Sequence, residues 1–276
     1  MPKIPIGSWI ESLETWLGNN VDPLFRFIKL IIGSIVQWFE FIFLGIHPLV
    51  LIVLFTAIAY LIGRWKIALF TLIGFGLVLN LGYWDHTMQT LSLVLTAALI
   101  SVLFGIPIGI WCARSDSVQK VVTPVLDFMQ TMPAFVYLLP AVSFFSLGVV
   151  PGVISSIIFA IPPTIRLTNL GIRQVPGDLV EAANAFGSTS MQKLWKLQLP
   201  LALPTILAGV NQTIMLSLSM VVIASMIGAQ GVGADVYRAV TQTKTGVGFE
   251  AGLAIVVLAI VLDRLTQNMM KKKRKG

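Results

Sequence analysis

The chain has one cysteine, Cys112, in 276 residues, and only 11% of its residues are charged. A lone thiol excludes an internal disulfide framework, and Cys112 reads as a small core residue. The scarcity of charge stands against 56% hydrophobic residues and a mean hydropathy of +0.88. A water-soluble core of this size could not hide so much apolar surface, so the chain is read as an integral membrane protein. Ten-residue segments of alternating polarity are missing, which argues against a transmembrane β-barrel. No GxxxxGKS/T motif follows a strand pattern, so the chain has no P-loop to cradle nucleotide phosphates. It opens without the basic stretch, short apolar core and small-residue cleavage site of a removable signal, so the spans themselves are expected to direct insertion. His47 and His86 fall at expected outer span ends, without the paired acidic or cysteine neighbours that metal or nucleophilic chemistry needs. Asp127, Arg166, Glu250 and Asp263 fall near expected span ends. The midplane is thus left without the Asp, Glu or His of a proton-driven carrier, while sodium coupling through backbone carbonyls stays open.

What is present is a series of apolar runs of bilayer length. Spans are expected at roughly 48–63, 67–83, 88–112, 121–146, 149–170, 201–227 and 249–266, seven crossings. With a cytoplasmic C-terminus, Arg64, Lys66, Arg114, Lys120, Arg166, Arg173, Lys193, Lys196, Arg264 and the five residues of the KKKRK tail lie inside, 14 of the 19 Lys and Arg. The opposite orientation leaves five inside, so the positive-inside bias places the N-terminus outside. The net charge of +7 is therefore read as a topology signal and an anchor beside anionic membrane lipid, with no nucleic-acid partner implied.

Residues 22–44 could pass for an eighth span, yet Arg26, Lys29, Gly33, Gln37 and Glu40 recur at helical spacing within one narrow sector. Either the helix lies flat in the outer interface on its apolar face, as an amphipathic scaffold, or it is a tilted span packed on a neighbour. Residues 8–18, with Trp9, Leu13, Trp16 and Leu17, form a shorter interfacial piece. The organisation expected is an N-terminal scaffold region (1–46), two peripheral transmembrane helices (47–86), a working core (87–267) and a basic tail (268–276). The core carries prolines at 107, 124, 133, 140, 151, 162 and 163 and many small residues, which let helices approach closely and are tolerated where neighbours satisfy the freed backbone groups.

The segment EAANAFGSTSMQKLWKLQLP, Glu181 to Pro200, is polar and too long for a simple turn. Pro176 and Gly177 break the chain, Asp178 favours a helix start, and DLVEAANAF is helix-forming until Gly187, a residue tolerant of left-handed geometry. Thr189 with Gln192 fits a capping box opening a second helix, which Pro200 is expected to end. Ala182 and Ala183 keep the first helix slim enough for a groove, and Glu181 offers a carboxylate at its edge.

The pattern Glu181-Ala182-Ala183, three residues, Gly187, nine residues, Leu197, then Leu199-Pro200 resembles the EAA signature of bacterial ABC importer permeases, with Leu197 in place of Ile. The stretches DFMQTMPAFVYLLPAVSFFSLGVVPG, IPPTIRLTNLGIRQVPGDLVEAANAFGS and NQTIMLSLSMVVIASMIGAQGVG resemble permeases of glycine betaine/proline-type osmoprotectant importers, over roughly residues 45–266. That resemblance implies an all-α membrane fold, the type I (MetI-like) transmembrane domain, in a bacterial plasma membrane. It implies a non-enzymatic permease paired with a second copy and with two cytoplasmic ATPases that carry ATP and magnesium, this chain binding no cofactor. It also implies that 176–200 is the loop whose first helix couples the ATPases to the spans, and that a separate external protein binds substrate. Gln130, Thr131, Tyr137, Asn211, Gln212, Ser217 and Ser219 are polar at membrane depth. They line a conduit for a neutral or zwitterionic solute or serve helix-to-helix hydrogen bonding. A stand-alone carrier or channel is the competing class; it would move solute without ATP.

Overall fold

A computed structural model describes residues 4–273, with side chains through Met269, so the KKKRK tail lies outside the described side chains. Thirteen α-helices and one π-helical turn are assigned among the described residues, and no strand is. They are α1 (Ile6–Asn20), α2 (Asp22–Gly45), α3 (Pro48–Asn80), α4 (Trp84–Arg114), α5 (Asp116–Thr131), α6 (Ala134–Phe145) and α7 (Val149–Arg173). Then follow α8 (Gly177–Ala185), α9 (Ser190–Lys193), the π turn (Leu194–Gln198), α10 (Leu199–Ser219), α11 (Val221–Ser225), α12 (Val232–Thr241) and α13 (Thr245–Lys273). Six helices are long and apolar enough to cross a membrane, or seven if the bent pair α5–α6 counts as one.

α3 consists of two helical legs and folds back on itself at Arg64, whose φ of 64° is left-handed. Phe55 and Phe75 lie with ring centroids 5.4 Å apart, whereas twenty residues of straight helix would separate them by about 30 Å. The two legs match the expected spans at 48–63 and 67–83, each of about 24 Å.

The expected span at 121–146 is a broken one: α5 and α6 meet at 99°. Met132 is extended (ψ 138°) because Pro133 bars the helical conformation from the residue before it. Tyr137 donates to the carbonyl of Met129 at 2.5 Å, with Phe128 at 3.3 Å, so the exposed last turn of α5 is capped by the first turn of α6.

The core is the packing of α4, α7 and α10. A Cβ on Gly109 would lie 2.7 Å from the carbonyl oxygen of Ile165, and one on Gly209 would lie 3.0 Å from that of Pro163, so backbones meet there with no side chain between. Beside the Pro162–Pro163 pair, Thr213 donates to the Ala160 carbonyl at 2.7 Å and lies 2.7 Å from the Thr164 hydroxyl. All three helices thereby become one block.

The polar sector of α2 borders the turn between α6 and α7, where Lys29, Gln37 and Glu40 line a hollow of about 220 Å³. Its apolar surface is split in two: Ile32 and Val36 are buried in the core, while Trp38 and Phe41 are exposed. Phe25 stacks on Phe144 at 4.4 Å, Gly33 lies against Val150, and Phe43 is 6.1 Å from Phe55.

Candidate functional site

One end of the bundle carries the connection 174–198 and is called here the loop end; the opposite end is the far end. The first arm of that connection, α8, starts after Pro176 with Asp178 in its first turn. No side chain caps it, so Asp178 acts through its charge at the positive end of the helix. The helix stops as its sequence requires. Gly187 takes φ 74°, its N–H bonds the Asn184 carbonyl (2.9 Å), and Ser188 N–H bonds the Ala183 carbonyl (3.0 Å), the paired bonds of a Schellman cap. Nothing lies within 4 Å of the position a Gly187 Cβ would take, so the glycine is needed for its conformation and not for space.

The second arm opens with the expected capping box: Thr189 Oγ1 accepts from Gln192 N–H, and Gln192 Oε1 accepts from Thr189 N–H. Lys193 Nζ donates to Asn184 Oδ1 at 2.8 Å, tying the arms together. Pro200 does not end this arm, contrary to the sequence expectation. The arm passes through the π turn Leu194–Gln198 into α10, with Pro200 in the first turn of α10. The wider turn carries its carbonyls away from the proline ring, so the missing N–H breaks nothing.

Attachment and exposure are divided along this hairpin. Leu194 is 3% exposed and packs with Ile172, Ala202, Ile206 and Leu199, a small apolar cluster pinning the hairpin's root to α4, α7 and α10. α8 contributes no buried side chain. Glu181 and Ala182 are exposed, Ala183 and Leu197 half-buried. Around them stand Leu179, Met191, Trp195 and, at the apex, Phe186 with 89% of its surface open. A polar connection that leaves apolar groups this bare offers a contact surface. Sequence reasoning missed Phe186 and Trp195; the signal available was two aromatics inside a polar stretch.

Arg173, read from sequence only as a cytoplasmic charge, ends α7 just before the hairpin. Its guanidinium donates to Asp116 Oδ1 (2.6 Å), to the Cys112 carbonyl (2.9 Å) and to Asn169 Oδ1 (2.9 Å). The hairpin's root is thereby tied to the α4–α5 junction. Arg166 similarly joins α7 to α5 through Asp127 at 2.5 Å.

The polar residues singled out at membrane depth do not form one cluster. Gln130, Thr131, Gln212 and Ser219 are exposed, whereas Tyr137 and Ser217 are buried. Tyr137 is occupied in capping α5, and Ser219 donates to the Met215 carbonyl. Asn211 is half-buried, donating to Asp263 Oδ1 at 3.0 Å and accepting from Thr266. Ser217 has no hydrogen-bond partner.

At the far end, His86 meets an acid, though not its sequence neighbour Asp85: its Nδ1 lies 2.5 Å from Asp235 Oδ2, across 149 residues of chain. Thr90 accepts from Val232 N–H at 3.0 Å, so α4 holds the start of α12. His47 caps α3, accepting from Leu49 N–H. Tyr83, in the turn before α4, has its hydroxyl pushed above the usual range by desolvation and then by Glu250 and Asp235, and it stays neutral at physiological pH.

Residues 105–275 match the model of the family described as binding-protein-dependent transport system inner membrane component, and the chain belongs to that family. Among curated relatives it is 56% identical to the glycine betaine transport system permease protein OpuAB of Bacillus subtilis (strain 168), with 100% of this chain and 98% of that protein covered. It is 53% identical to the glycine betaine/carnitine transport permease protein GbuB of Listeria monocytogenes (99% and 98% covered). It is 47% identical to the glycine betaine/proline betaine permease ProW of Escherichia coli (strain K12), covering 98% of this chain and 77% of that one. Among solved structures, an inward-facing MetNI methionine ABC transporter matches with a TM-score of 0.62 at 19% identity, over 67% of this chain and 92% of that chain. The fold is the type I ABC importer transmembrane fold, and the chain is a multi-pass transport permease.

Proposed function

We propose that this permease forms the path for glycine betaine or a related compatible solute in an osmoprotectant ABC importer. Two cytoplasmic ATPases drive it through the hairpin 177–198, and an external binding protein supplies the solute. The observation that carries this reading is the hairpin itself. The hairpin, whose EAA helix buries no side chain, holds Phe186 at its apex and Trp195 on its second arm in the open, while Leu194 packs on α7 and α10 and Arg173 ties α7 to the α4–α5 junction. A partner pushing on the open arm therefore moves α7, α10 and, through Asp116, α5. The relatives named for glycine betaine, at up to 56% identity over the full chain, support the solute class.

In this reading the loop end is cytoplasmic and the N-terminus external, as the distribution of Lys and Arg favours. Two copies pair around the path. Exposed Gln130, Thr131, Gln212 and Ser219 are the polar side chains left for it, and Asn211, Tyr137 and Ser217 stand behind them. α2 lies along the outer interface, with Phe25 on Phe144 and Gly33 against Val150 at the far-end turn between α6 and α7. α1, with Trp9, Ile10, Leu13 and Trp16 all exposed, lies beside it as a second interfacial helix. Residues 47–86 are peripheral spans and 87–267 the working core.

The test is uptake of labelled glycine betaine into proteoliposomes holding the permease with its cognate ATPase and binding protein. ATP-dependent uptake is expected, and it falls at least tenfold in Phe186→Asp with membrane insertion unchanged. Uptake by the permease alone without ATP would instead establish a stand-alone carrier.

A further inference from the structure

The second leg of α3 and the last helix α13 leave a groove between them that the transport reading does not use. It holds about 450 Å³, within the range of ligand sites, and its walls are apolar: Leu69, Phe70 and Ile73 on one side, Val256 and Ile260 on the other. Among the described residues that line it, only Lys66, just past the fold-back of α3, is charged.

Two contacts fix how the helices run past each other. Tyr83 Oη reaches the Val247 carbonyl at 3.5 Å, and a Cβ on Gly74 would lie 2.7 Å from Val257 Cγ1. Tyr83, in the turn just after α3, meets the start of α13 while Gly74, inside α3, meets Val257 further along it, so the pair is antiparallel. Continued at about 1.5 Å per residue, the register puts Lys66 level with residues 264–266, about 12 Å below the close approach at Gly74. Arg264 is there, one helical repeat beyond Ile260 on the stripe that forms the groove wall. Its side chain is 55% exposed and stands 4.0 Å from Asp263, whose carboxylate is already taken by Asn211 and Gln267. Beside Lys66, Trp65 is 60% exposed with its ring 6.0 Å from Lys66 Nζ. An exposed indole at a helix end belongs at headgroup depth.

We propose that this groove holds one acyl chain of an anionic phospholipid of the phosphatidylglycerol class, with the phosphate between Lys66 and Arg264. The apolar walls alone would accept any lipid tail. The two cations at one level, with Arg64 just beyond at the tip, select the headgroup. The proposal requires only that the chain sit in a bilayer, and it is independent of the solute and of the coupling hairpin.

The test uses the full transporter in nanodiscs containing photoactivatable phosphatidylglycerol or phosphatidylcholine with identical tails, and crosslinked peptides are mapped by mass spectrometry. Phosphatidylglycerol is expected to label the peptides of 66–77 and 253–264 in clear excess. Lys66→Gln lowers that excess about fivefold, adding Arg264→Gln removes it, and Lys66→Arg retains it. Val256→Trp, which fills the groove, lowers labelling by both lipids there. Equal labelling by the two lipids, or an excess that survives the double substitution, overturns the proposal. So does a disulfide between two copies carrying Ile73→Cys, which would make the groove an interface with a second permease. Monodisperse elution of each variant confirms that the bundle has folded.

Discussion

The helical core and the loop-end hairpin solve opposite problems with similar small residues. In the core, Gly109 and Gly209 bring backbones into contact, and an added methyl would strike a carbonyl oxygen. In the hairpin, Ala182 and Ala183 keep a helix narrow although nothing in this chain presses on it, and Gly187 serves only to turn the chain. Small residues in the core are filled in by this chain's own helices; those in the hairpin are left uncovered by them. The contrast separates substitutions that unfold the protein from those that disconnect it.

The largest break in the comparison is expected from Gly109→Val. Its branched side chain would meet both the Ile165 carbonyl and the Thr168 Cβ, 2.7 and 2.6 Å from the ideal Cβ position, and overpacking at backbone contact costs about 3 kcal/mol. Solubilised protein should elute as aggregate or fail to accumulate. Recovery of monodisperse, active permease would show that α4 and α7 can part, and the distinction would fail from the core side.

Next come Gly187→Pro and Ala183→Arg. Proline cannot adopt the φ of 74° seen at Gly187, and the hairpin's turn must open. The arginine places a charge on the slim face of α8. Both should insert normally and keep the thermal stability of the bundle, since α8 buries nothing, while ATP-driven uptake falls at least tenfold. Normal uptake in both variants would mean that the open hairpin is not the point of drive.

Much of this division could be read from residue order alone. The hairpin's cap at Gly187, its capping box at Thr189 and Gln192, and the fold-back between 63 and 67 are local events, and local sequence specifies them. The π turn at 194–198 was not legible, because Pro200 reads as a stop unless the widened turn before it is known. The 99° break at Met132–Pro133 was also missed, since one proline among ten in the core carries no mark of which will kink and which will be absorbed. Arg173 and His86 depend on partners 57 and 149 residues away; such pairings exist only once the helices have packed. The exposure of Phe186 is a property of what is missing around it, and no single sequence states that.

A subtler probe lies inside the core. Thr213→Val removes the donor to the Ala160 carbonyl and the partner of Thr164 while keeping the shape. A hydrogen bond in hydrocarbon is expected to exceed one in water, but pairs measured between membrane helices average well under that expectation, so a loss of about 1 kcal/mol is predicted. Thermal unfolding in detergent should shift down slightly with uptake nearly intact. A collapse of uptake at unchanged stability would place this hydroxyl pair in the moving parts instead of the scaffold.

The smallest effect is expected from removing α1. No residue of α1 is buried, and its apolar side, Trp9, Ile10, Leu13 and Trp16, faces away from the bundle. Cutting at residue 20 leaves α2 in place, with Ile32 and Val36 still seated in the core, so fold, ATP coupling and choice of solute should all persist. Extending the cut to residue 44 withdraws those two side chains and the stack of Phe25 on Phe144. That deletion should lower stability and assembly while leaving the order of preference among competing solutes unchanged. The solute profile is therefore the decisive readout. A profile altered by the longer cut would make α2 part of the path, and the boundary between scaffold and working core would have to move toward the N-terminus.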